Sequence, residues 1–217
     1  MSTAPAPHRK RFIAVAGNMG AGKSELCSFL AHRYGLKAFF EPNSANPYLE
    51  DFYRDMRSFA FRSQIYFLTH KFRLHREIER EPGAVLQDRT IYEDAEIFAR
   101  HLHKMGAIDA RDWNTYQQLY AVVSSSLAPP DLMIYLRCPV RTLVKRIEKR
   151  GRAMEKNVPI DYLRKLNKLY EGWFERYTLS PVMVLETDKL DYVTDLVDRI
   201  DLFRAVEAHI GGVLQRG

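Results

Sequence analysis

The chain has 217 residues, of which 46% are apolar and 28% charged, the composition of a folded protein of about one domain. This composition excludes collagen-like, low-complexity and intrinsically disordered classes. The net charge of +6 comes from 33 basic and 27 acidic residues, and so small an excess does not demand a polyanionic partner. The longest apolar runs, at 12–16 and 132–136, fall far short of the roughly 20 residues that cross a membrane.

We expect residues 1–10 to form a flexible tail and not a secretory signal, because the apolar stretch that follows them, at 12–16, is too short. Neither Cys27 nor Cys138 has a paired spacing, and we interpret both as buried apolar side chains in a cytoplasmic protein. The seven histidines lack the helical spacing of a zinc site. A metal site built on His or Cys is therefore not expected.

Short β-branched runs alternate with long stretches of helical periodicity, which predicts an α/β fold with a parallel sheet. We predict five strands, at 11–16, 37–40, 84–87, 132–137 and 182–186. The intervals predict helices at 22–34, 49–79, 92–104, 110–127, 140–150, 159–177 and 192–212. Turn residues separate these elements without a linker or a repeat, so residues 11–217 form a single predicted domain.

A glycine-rich motif follows the first predicted strand and opens a helix, the context of a phosphate-binding loop. Its backbone N–H groups and the helix dipole would hold phosphate oxygens. We expect Lys23 to reach the β- and γ-phosphates and Ser24 to bind Mg²⁺; a turn with no ligand is the alternative. The motif is Gly17-Asn18-Met19-Gly20-Ala21-Gly22-Lys23-Ser24, called here the phosphate loop.

The third predicted strand ends at Asp88-Arg89-Thr90. Open parallel sheets bind ligands at the carboxyl ends of their strands, so Asp88 is a candidate magnesium ligand and Arg89 a candidate for the transferred phosphate. Without the phosphate loop, the same residues would be interpreted as a helix cap followed by a surface arginine.

The excess positive charge concentrates between residues 141 and 152. Arg146 and Arg150 are i, i+4 neighbours on one helix face, and Gly151 should end that helix before Arg152. Such arginines suit a polyphosphate. A solvated basic face and a nucleic-acid site are the alternatives, although no aromatic platform accompanies the run.

Glu41 follows the second predicted strand at the same sheet edge. A carboxylate there can accept a proton from a hydroxyl nucleophile, and it would repel an acceptor that already carries phosphate. A solvent-exposed strand-end glutamate is the alternative.

The predicted helix at 49–79 places Tyr53, Gln64 and Lys71 about 20° apart in phase, on one face that suits a small polar aromatic ligand. On the next helix, Asp94 and Phe98 are i, i+4 neighbours that offer an acceptor beside a stacking ring. An amide, an acid and a ring together are typical of a nucleobase site, whereas Phe98 alone would be interpreted as a core residue.

With these residues in view, the chain resembles the deoxyribonucleoside kinase family, and within it the bacterial deoxyadenosine/deoxyguanosine kinase type. The resemblance covers about residues 12–192 and adds motifs in a fixed order. They are FEP at 40–42, FRSQIYFL at 61–68, DRTIYEDAEIFA at 88–99, KRIEKRGRAME at 145–155, VPIDYLRKLNKLYEGW at 158–173 and LETDKLDY at 185–192.

The resemblance implies a P-loop kinase fold, helices on both faces of the sheet and a short arginine-rich lid at about 146–157. It implies that Glu41 is the base on the 5′-hydroxyl beside Arg89, and that Gln64 and Phe98 hold the nucleobase. Tyr53 and Glu155 would hold the 3′-hydroxyl. Arg146, Arg150 and Arg152 would bind donor phosphates, and the loop with Asp191 and Tyr192 would contact the donor adenine.

We therefore predict ATP- and Mg²⁺-dependent 5′-phosphorylation of a purine deoxyribonucleoside, deoxyadenosine first. Deoxyguanosine and deoxycytidine remain alternative substrates, and a nucleoside-monophosphate kinase or a non-catalytic nucleotide sensor are alternative functions. The resemblance implies a homodimer. No nucleic-acid or membrane partner is expected.

Overall fold

The computed structural model describes residues 11–40, 46–152, 158–188 and 195–214. Within them, five parallel strands form one sheet in the order β2-β3-β1-β4-β5. The strands are β1 (Phe12–Gly17), β2 (Lys37–Phe39), β3 (Val85–Asp88), β4 (Leu132–Arg137) and β5 (Val182–Glu186). All five predicted strands and the α/β fold are confirmed.

Helices follow and precede these strands along the chain. They are α1 (Lys23–Tyr34), α2 (Leu49–Arg54), α3 (Met56–Arg80), α4 (Ile91–Glu93), a π-helical segment (Asp94–Ala99), α5 (Arg100–Lys104), α6 (Ala110–Ser125), α7 (Val140–Arg150), α8 (Ile160–Phe174) and α9 (Leu196–Leu214). None of these helices, over the residues described, has the length and apolar character that crossing a membrane requires.

Both faces of the sheet are covered, which explains the unbroken apolar run of β1. Alternate residues of a strand point to opposite faces. Ala14 and Ala16 belong to the core shared with α3, α6 and α8. Ile13 and Val15 belong to the core shared with α1, α7 and α9. The central strand is thereby held from two sides, and its carboxyl end is a rigid platform.

The single helix predicted at 49–79 is wrong, because the chain breaks at Asp55 between α2 and α3. Asp55 has φ −138° and ψ 81°, and its side chain accepts a hydrogen bond from the backbone N–H of Ser58. Asp favours this N-cap conformation over a helix interior. Tyr53 and Gln64 therefore lie on different helices, so their helical phase does not place them on one face.

The helix predicted at 92–104 is continuous but not uniform. Thr90 caps it through a capping box with Glu93, and Asp94–Ala99 is π-helical. Such wide turns are frequent at functional sites. Asp94 and Phe98 both lie in this segment, at the carboxyl edge of the sheet.

Candidate active site

The phosphate loop curls around the ammonium group of Lys23. The Nζ atom donates to the carbonyl oxygens of Gly17, at 2.9 Å, and Asn18, at 3.1 Å. Gly22 precedes α1 without a side-chain cap hydrogen bond, and the N-terminus of a helix is a ready site for an anion. A positive charge and a helix start therefore converge on one loop, as phosphate binding requires.

Glycine is required where this loop packs against its neighbours. Gly20 has φ 77°, and a Cβ atom there would lie 2.9 Å from Cγ1 of Ile147 on α7. A Cβ at Gly17 would lie 2.9 Å from the carbonyl oxygen of Leu136 on β4. The loop is thus compact against β4 and α7 because it carries no side chains at these two points.

Asn18 shows a role that its motif position does not suggest. Its side chain is buried and donates to the carbonyl oxygen of Leu163 and to Oδ1 of Asn167, both on α8. Its Oδ1 accepts from the backbone N–H of Met19. Asn18 therefore ties the phosphate loop to α8, and its contribution to a ligand site comes through the backbone.

Ser24 and Asp88 place two candidate oxygen ligands beside the loop. The hydroxyl of Ser24 donates to Oδ2 of Asp88 at 2.5 Å, while the buried Oδ1 of Asp88 has no hydrogen-bond partner among the described residues. Magnesium typically takes one or two such protein oxygens and completes its shell with phosphate and water. The pair therefore fits a nucleotide-bound Mg²⁺. The described residues contain no cluster of three or more His, Cys, Asp or Glu that could hold a metal alone.

Arg89 adopts an unusual backbone conformation at the end of β3. Its φ of 62° is the one positive φ of a non-glycine residue in the described part of the chain, and such a conformation costs about 1–3 kcal/mol. Lys71 Nζ donates to its carbonyl oxygen at 2.8 Å. The guanidinium lies 4.4 Å from the ring centre of Phe98, so the Arg89 side chain is directed toward that ring.

Glu93 is a fully buried carboxylate that joins three parts of the site. Oε1 accepts from the backbone N–H of Gly17 and from the hydroxyl of Tyr170 on α8. Oε2 accepts from the backbone N–H of Thr90 at 2.9 Å. Burial raises the pKa of Glu93, and the positive charges of Arg89 and Lys23 oppose that shift.

These elements surround one cavity of about 510 Å³. Met19, Gly20, Lys23 and Ser24 of the phosphate loop line it together with Asp88 and Arg89. Gln64, Asp94 and Phe98 line the same cavity, and the Oε1 atom of Gln64 is buried without a hydrogen-bond partner among the described residues. The predicted site residues that line the cavity are Met19, Gly20, Lys23, Ser24, Tyr53, Gln64, Asp88, Arg89, Asp94, Phe98, Arg150 and Arg152.

Some predicted ligand contacts are not among the residues that line the cavity. They are Gly17, Asn18, Ala21 and Gly22 of the phosphate loop, and Lys71 and Arg146. Lys71 is fully buried behind Arg89 and is not among the lining residues, because its ammonium group reaches the Arg89 carbonyl instead. Arg146 donates to the carbonyl oxygens of Ala21, at 3.3 Å, and Thr187, at 2.5 Å. It braces the phosphate loop against the end of β5 and does not share the cavity face with Arg150.

Four predicted site residues, Glu41, Glu155, Asp191 and Tyr192, lie outside the described residues, as does most of the expected lid beyond Arg152. α7 does end at Arg150, and Gly151 follows in the left-handed conformation, as predicted. The lid itself stays a prediction.

Several lining residues were not predicted from the sequence. Their apolar character is that of ordinary core residues, so no pattern distinguishes them. Tyr162 is one of them, and burial raises the pKa of its hydroxyl. Glu93 does not line the cavity, but its role could have been found, because Thr90-x-x-Glu93 matches the capping-box pattern at a helix start. The other missed lining residues are Leu49, Phe52, Met56, Phe67, Leu102, Val158 and Pro159.

The arrangement can bind a polyphosphate with a divalent cation at one end and a polar aromatic ring at the other. Known proteins with a similar sequence are kinases that act on such ring-bearing molecules. A family model described as deoxynucleoside kinase matches residues 13–211. The deoxyadenosine/deoxycytidine kinase of Bacillus subtilis (strain 168) is 38% identical over 86% of this chain and 87% of its own. The deoxyguanosine kinase of Lactobacillus acidophilus is 35% identical over 86% of this chain and 85% of its own.

A solved structure extends the likeness to three dimensions. The deoxyadenosine kinase from M. mycoides with bound dCTP superposes with a TM-score of 0.76 at 32% identity, over 92% of this chain and 100% of that one. Sequence and fold thus agree, and the chain belongs to the deoxynucleoside kinase family.

Proposed function

We propose that this kinase transfers the γ-phosphate of ATP, with Mg²⁺, to the 5′-hydroxyl of a purine deoxyribonucleoside, with deoxyadenosine as the preferred acceptor. One observation carries the proposal: a single cavity joins the phosphate loop to the amide, acid and ring of Gln64, Asp94 and Phe98. Deoxyguanosine and deoxycytidine are the alternative acceptors.

The donor end supplies charge and position. Lys23 neutralises phosphate oxygens at the loop, and Arg150 and Arg152 line the same space. Ser24 and Asp88 would hold Mg²⁺, which supplies neutralisation of the charge that develops on the transferred phosphoryl group. Arg146 acts indirectly, because its hydrogen bond to the carbonyl oxygen of Ala21 holds the phosphate loop in place. Asp191 and Tyr192 remain the proposed contacts of the donor adenine.

The acceptor end recognises a base. The Oε1 of Gln64 can accept from an exocyclic amine while its NH₂ group donates to a ring nitrogen, which is the edge pattern of adenine. Asp94 offers a second acceptor and Phe98 a stacking surface. This pattern favours adenine, but a carboxylate and an amide also suit an amino group on guanine or cytosine.

The sugar and the reacting hydroxyl lie between the two ends. We propose that Glu41 takes the proton of the 5′-hydroxyl and that Arg89 stabilises the transferred phosphate. Tyr53, which lines the cavity, would hold the 3′-hydroxyl with Glu155 and crowd the 2′ position. Most of the rate acceleration then comes from positioning and electrostatic stabilisation.

The names of the relatives support this acceptor class without ranking its members. One is a deoxyadenosine/deoxycytidine kinase and another a deoxyguanosine kinase. We also propose a cytoplasmic homodimer formed through the long helices, without nucleic-acid partners. The exposed Leu119 and Val122 on α6 suit such a contact.

The acceptor is tested with a panel of the four deoxyribonucleosides, their ribose forms and their 5′-monophosphates, each with ATP and Mg²⁺. We expect the highest kcat/KM with deoxyadenosine and lower values with its ribose form. Preferred phosphorylation of dAMP would instead identify a nucleoside-monophosphate kinase. Absence of ADP release with every acceptor would identify a nucleotide sensor.

The proposed base is tested by Glu41→Gln. Loss of the proton acceptor should lower kcat by about 10²–10⁴-fold, with the KM of the nucleoside within about twofold because the amide keeps the size of the carboxylate. Steady-state kinetics measure both constants. Turnover near that of the wild type would assign the base to another group.

Base recognition is tested by Gln64→Ala. We expect the KM of deoxyadenosine to rise about tenfold, the equivalent of about 1.4 kcal/mol, because polar edge groups of the base lose their partner. The matched control is Gln117→Ala on the exposed face of α6. An unchanged KM in the Gln64 variant would place the base elsewhere.

The metal site is tested by Asp88→Asn. The Mg²⁺ concentration that gives half-maximal turnover should rise by about tenfold or more, because an amide is a weaker ligand than a carboxylate. The control is Asp201→Asn, an exposed residue of α9. The same Mg²⁺ dependence in wild type and Asp88 variant would remove Asp88 from the site.

A further inference from the structure

One peptide group at the edge of the cavity is held at both of its polar atoms by buried charged side chains. The carbonyl oxygen of Arg89 accepts from Lys71 Nζ at 2.8 Å. The N–H of the same peptide, which belongs to Thr90, donates to Glu93 Oε2 at 2.9 Å. A cation and an anion therefore clamp one peptide plane from two helical elements.

The clamped peptide follows the left-handed residue Arg89, which comes directly after β3. Arg89 has φ 62°, a conformation that residues with a Cβ rarely adopt and that persists when the surroundings impose it. The N–H of Arg89 also donates to the carbonyl oxygen of Val15 on β1 at 3.1 Å. The backbone on both sides of the Arg89 Cα atom is thus hydrogen-bonded, and the side chain leaves the sheet toward Phe98.

The same carboxylate reaches the phosphate loop. Glu93 Oε1 accepts from the N–H of Gly17 at 3.2 Å, the first residue of that loop. One side chain thereby sets the distance between the loop and the turn that carries Arg89. Lys71 and Glu93 are both fully buried, and buried charges are costly unless specific hydrogen bonds compensate them. Here these hydrogen bonds also fix the geometry of two backbone segments, the start of the phosphate loop at Gly17 and the Arg89–Thr90 turn.

We infer that Lys71 and Glu93 are positioning residues, which hold the Arg89–Thr90 peptide in its left-handed turn and so direct the Arg89 guanidinium into the cavity. Neither residue lines the cavity, so both act through Arg89, and Glu93 acts through Gly17 as well. The inference rests on the proposed role of Arg89 in phosphoryl transfer. It replaces the sequence-based expectation that Lys71 contacts the nucleobase.

The experiment is a pair of double-mutant cycles on the full chain. Lys71→Met and Glu93→Gln are made alone and combined with Arg89→Ala, and kcat, both KM values and the thermal midpoint are measured for each. In Glu93→Gln, one of the two oxygen positions must carry an NH₂ group that faces a backbone donor. The controls are Arg73→Met, a basic residue on the exposed face of α3, and Glu96→Gln, which is paired with Arg100.

Each single variant should lower kcat about tenfold or more, with the KM of the deoxynucleoside within about twofold. On the Arg89→Ala background, Lys71→Met should add less than a twofold further loss, because its effect passes through the missing guanidinium. Glu93→Gln should also raise the KM of ATP, because the contact of residue 93 with the N–H of Gly17 in the phosphate loop is disturbed. The two control variants should keep wild-type constants.

Three results would overturn the inference. Losses that multiply with that of Arg89→Ala would show an independent effect on stability or catalysis. A rise in nucleoside KM at unchanged kcat in Lys71→Met would place Lys71 on the base. Wild-type kcat in Arg89→Ala alone would remove the proposed role of Arg89, an outcome distinct from the other two. If one variant does not fold, the cycle of the other decides.

Discussion

The site depends on the alignment of two neighbouring parallel strands. Val15 of β1 is in register with Asp88 of β3, so the phosphate loop and the Asp88-Arg89-Thr90 turn leave the sheet side by side. This register brings the Ser24 hydroxyl to the Asp88 carboxylate. Because both faces of the sheet are packed against helices, neither strand can shift without disrupting a core. The positions of the phosphate loop, of the Ser24–Asp88 pair and of Arg89 all follow from this one pairing.

Charged and neutral polar side chains line the same cavity. Lys23, Arg150 and Arg152 supply positive charge, while Gln64, Asp94 and Phe98 offer an amide, an acid and a ring. Glu93 is buried between the loop and the Arg89 turn and accepts hydrogen bonds from the backbone of both. An enzyme of this family gains its rate from fixed charges and fixed distances, and buried polar side chains behind the cavity wall maintain those distances.

Much of this architecture is predictable from the sequence. Strands β1, β3 and β4 are buried on both faces, and all five strands are short runs bounded by turn residues, so the sequence pattern predicts their positions. The phosphate loop follows from its motif. The break at Asp55 was missed, because the apolar periodicity continues across it and the cap competes only locally. The inward roles of Lys71, Arg146 and Asn18 could not be predicted, since a polar residue in a functional motif gives no indication of whether its tip faces a ligand or the backbone. Glu41 and Glu155 stay predictions.

The central claim is that one cavity presents a deoxynucleoside hydroxyl to the terminal phosphate of ATP. A crystal structure with deoxyadenosine and a non-hydrolysable ATP analogue tests it most directly. The account predicts the 5′-oxygen about 3–3.5 Å from the γ-phosphorus, with the base against Phe98 and Gln64 and the phosphates on the loop at 17–24. A nucleoside bound away from Phe98 and Gln64, or with its 5′-oxygen directed away from the phosphate loop, would contradict it.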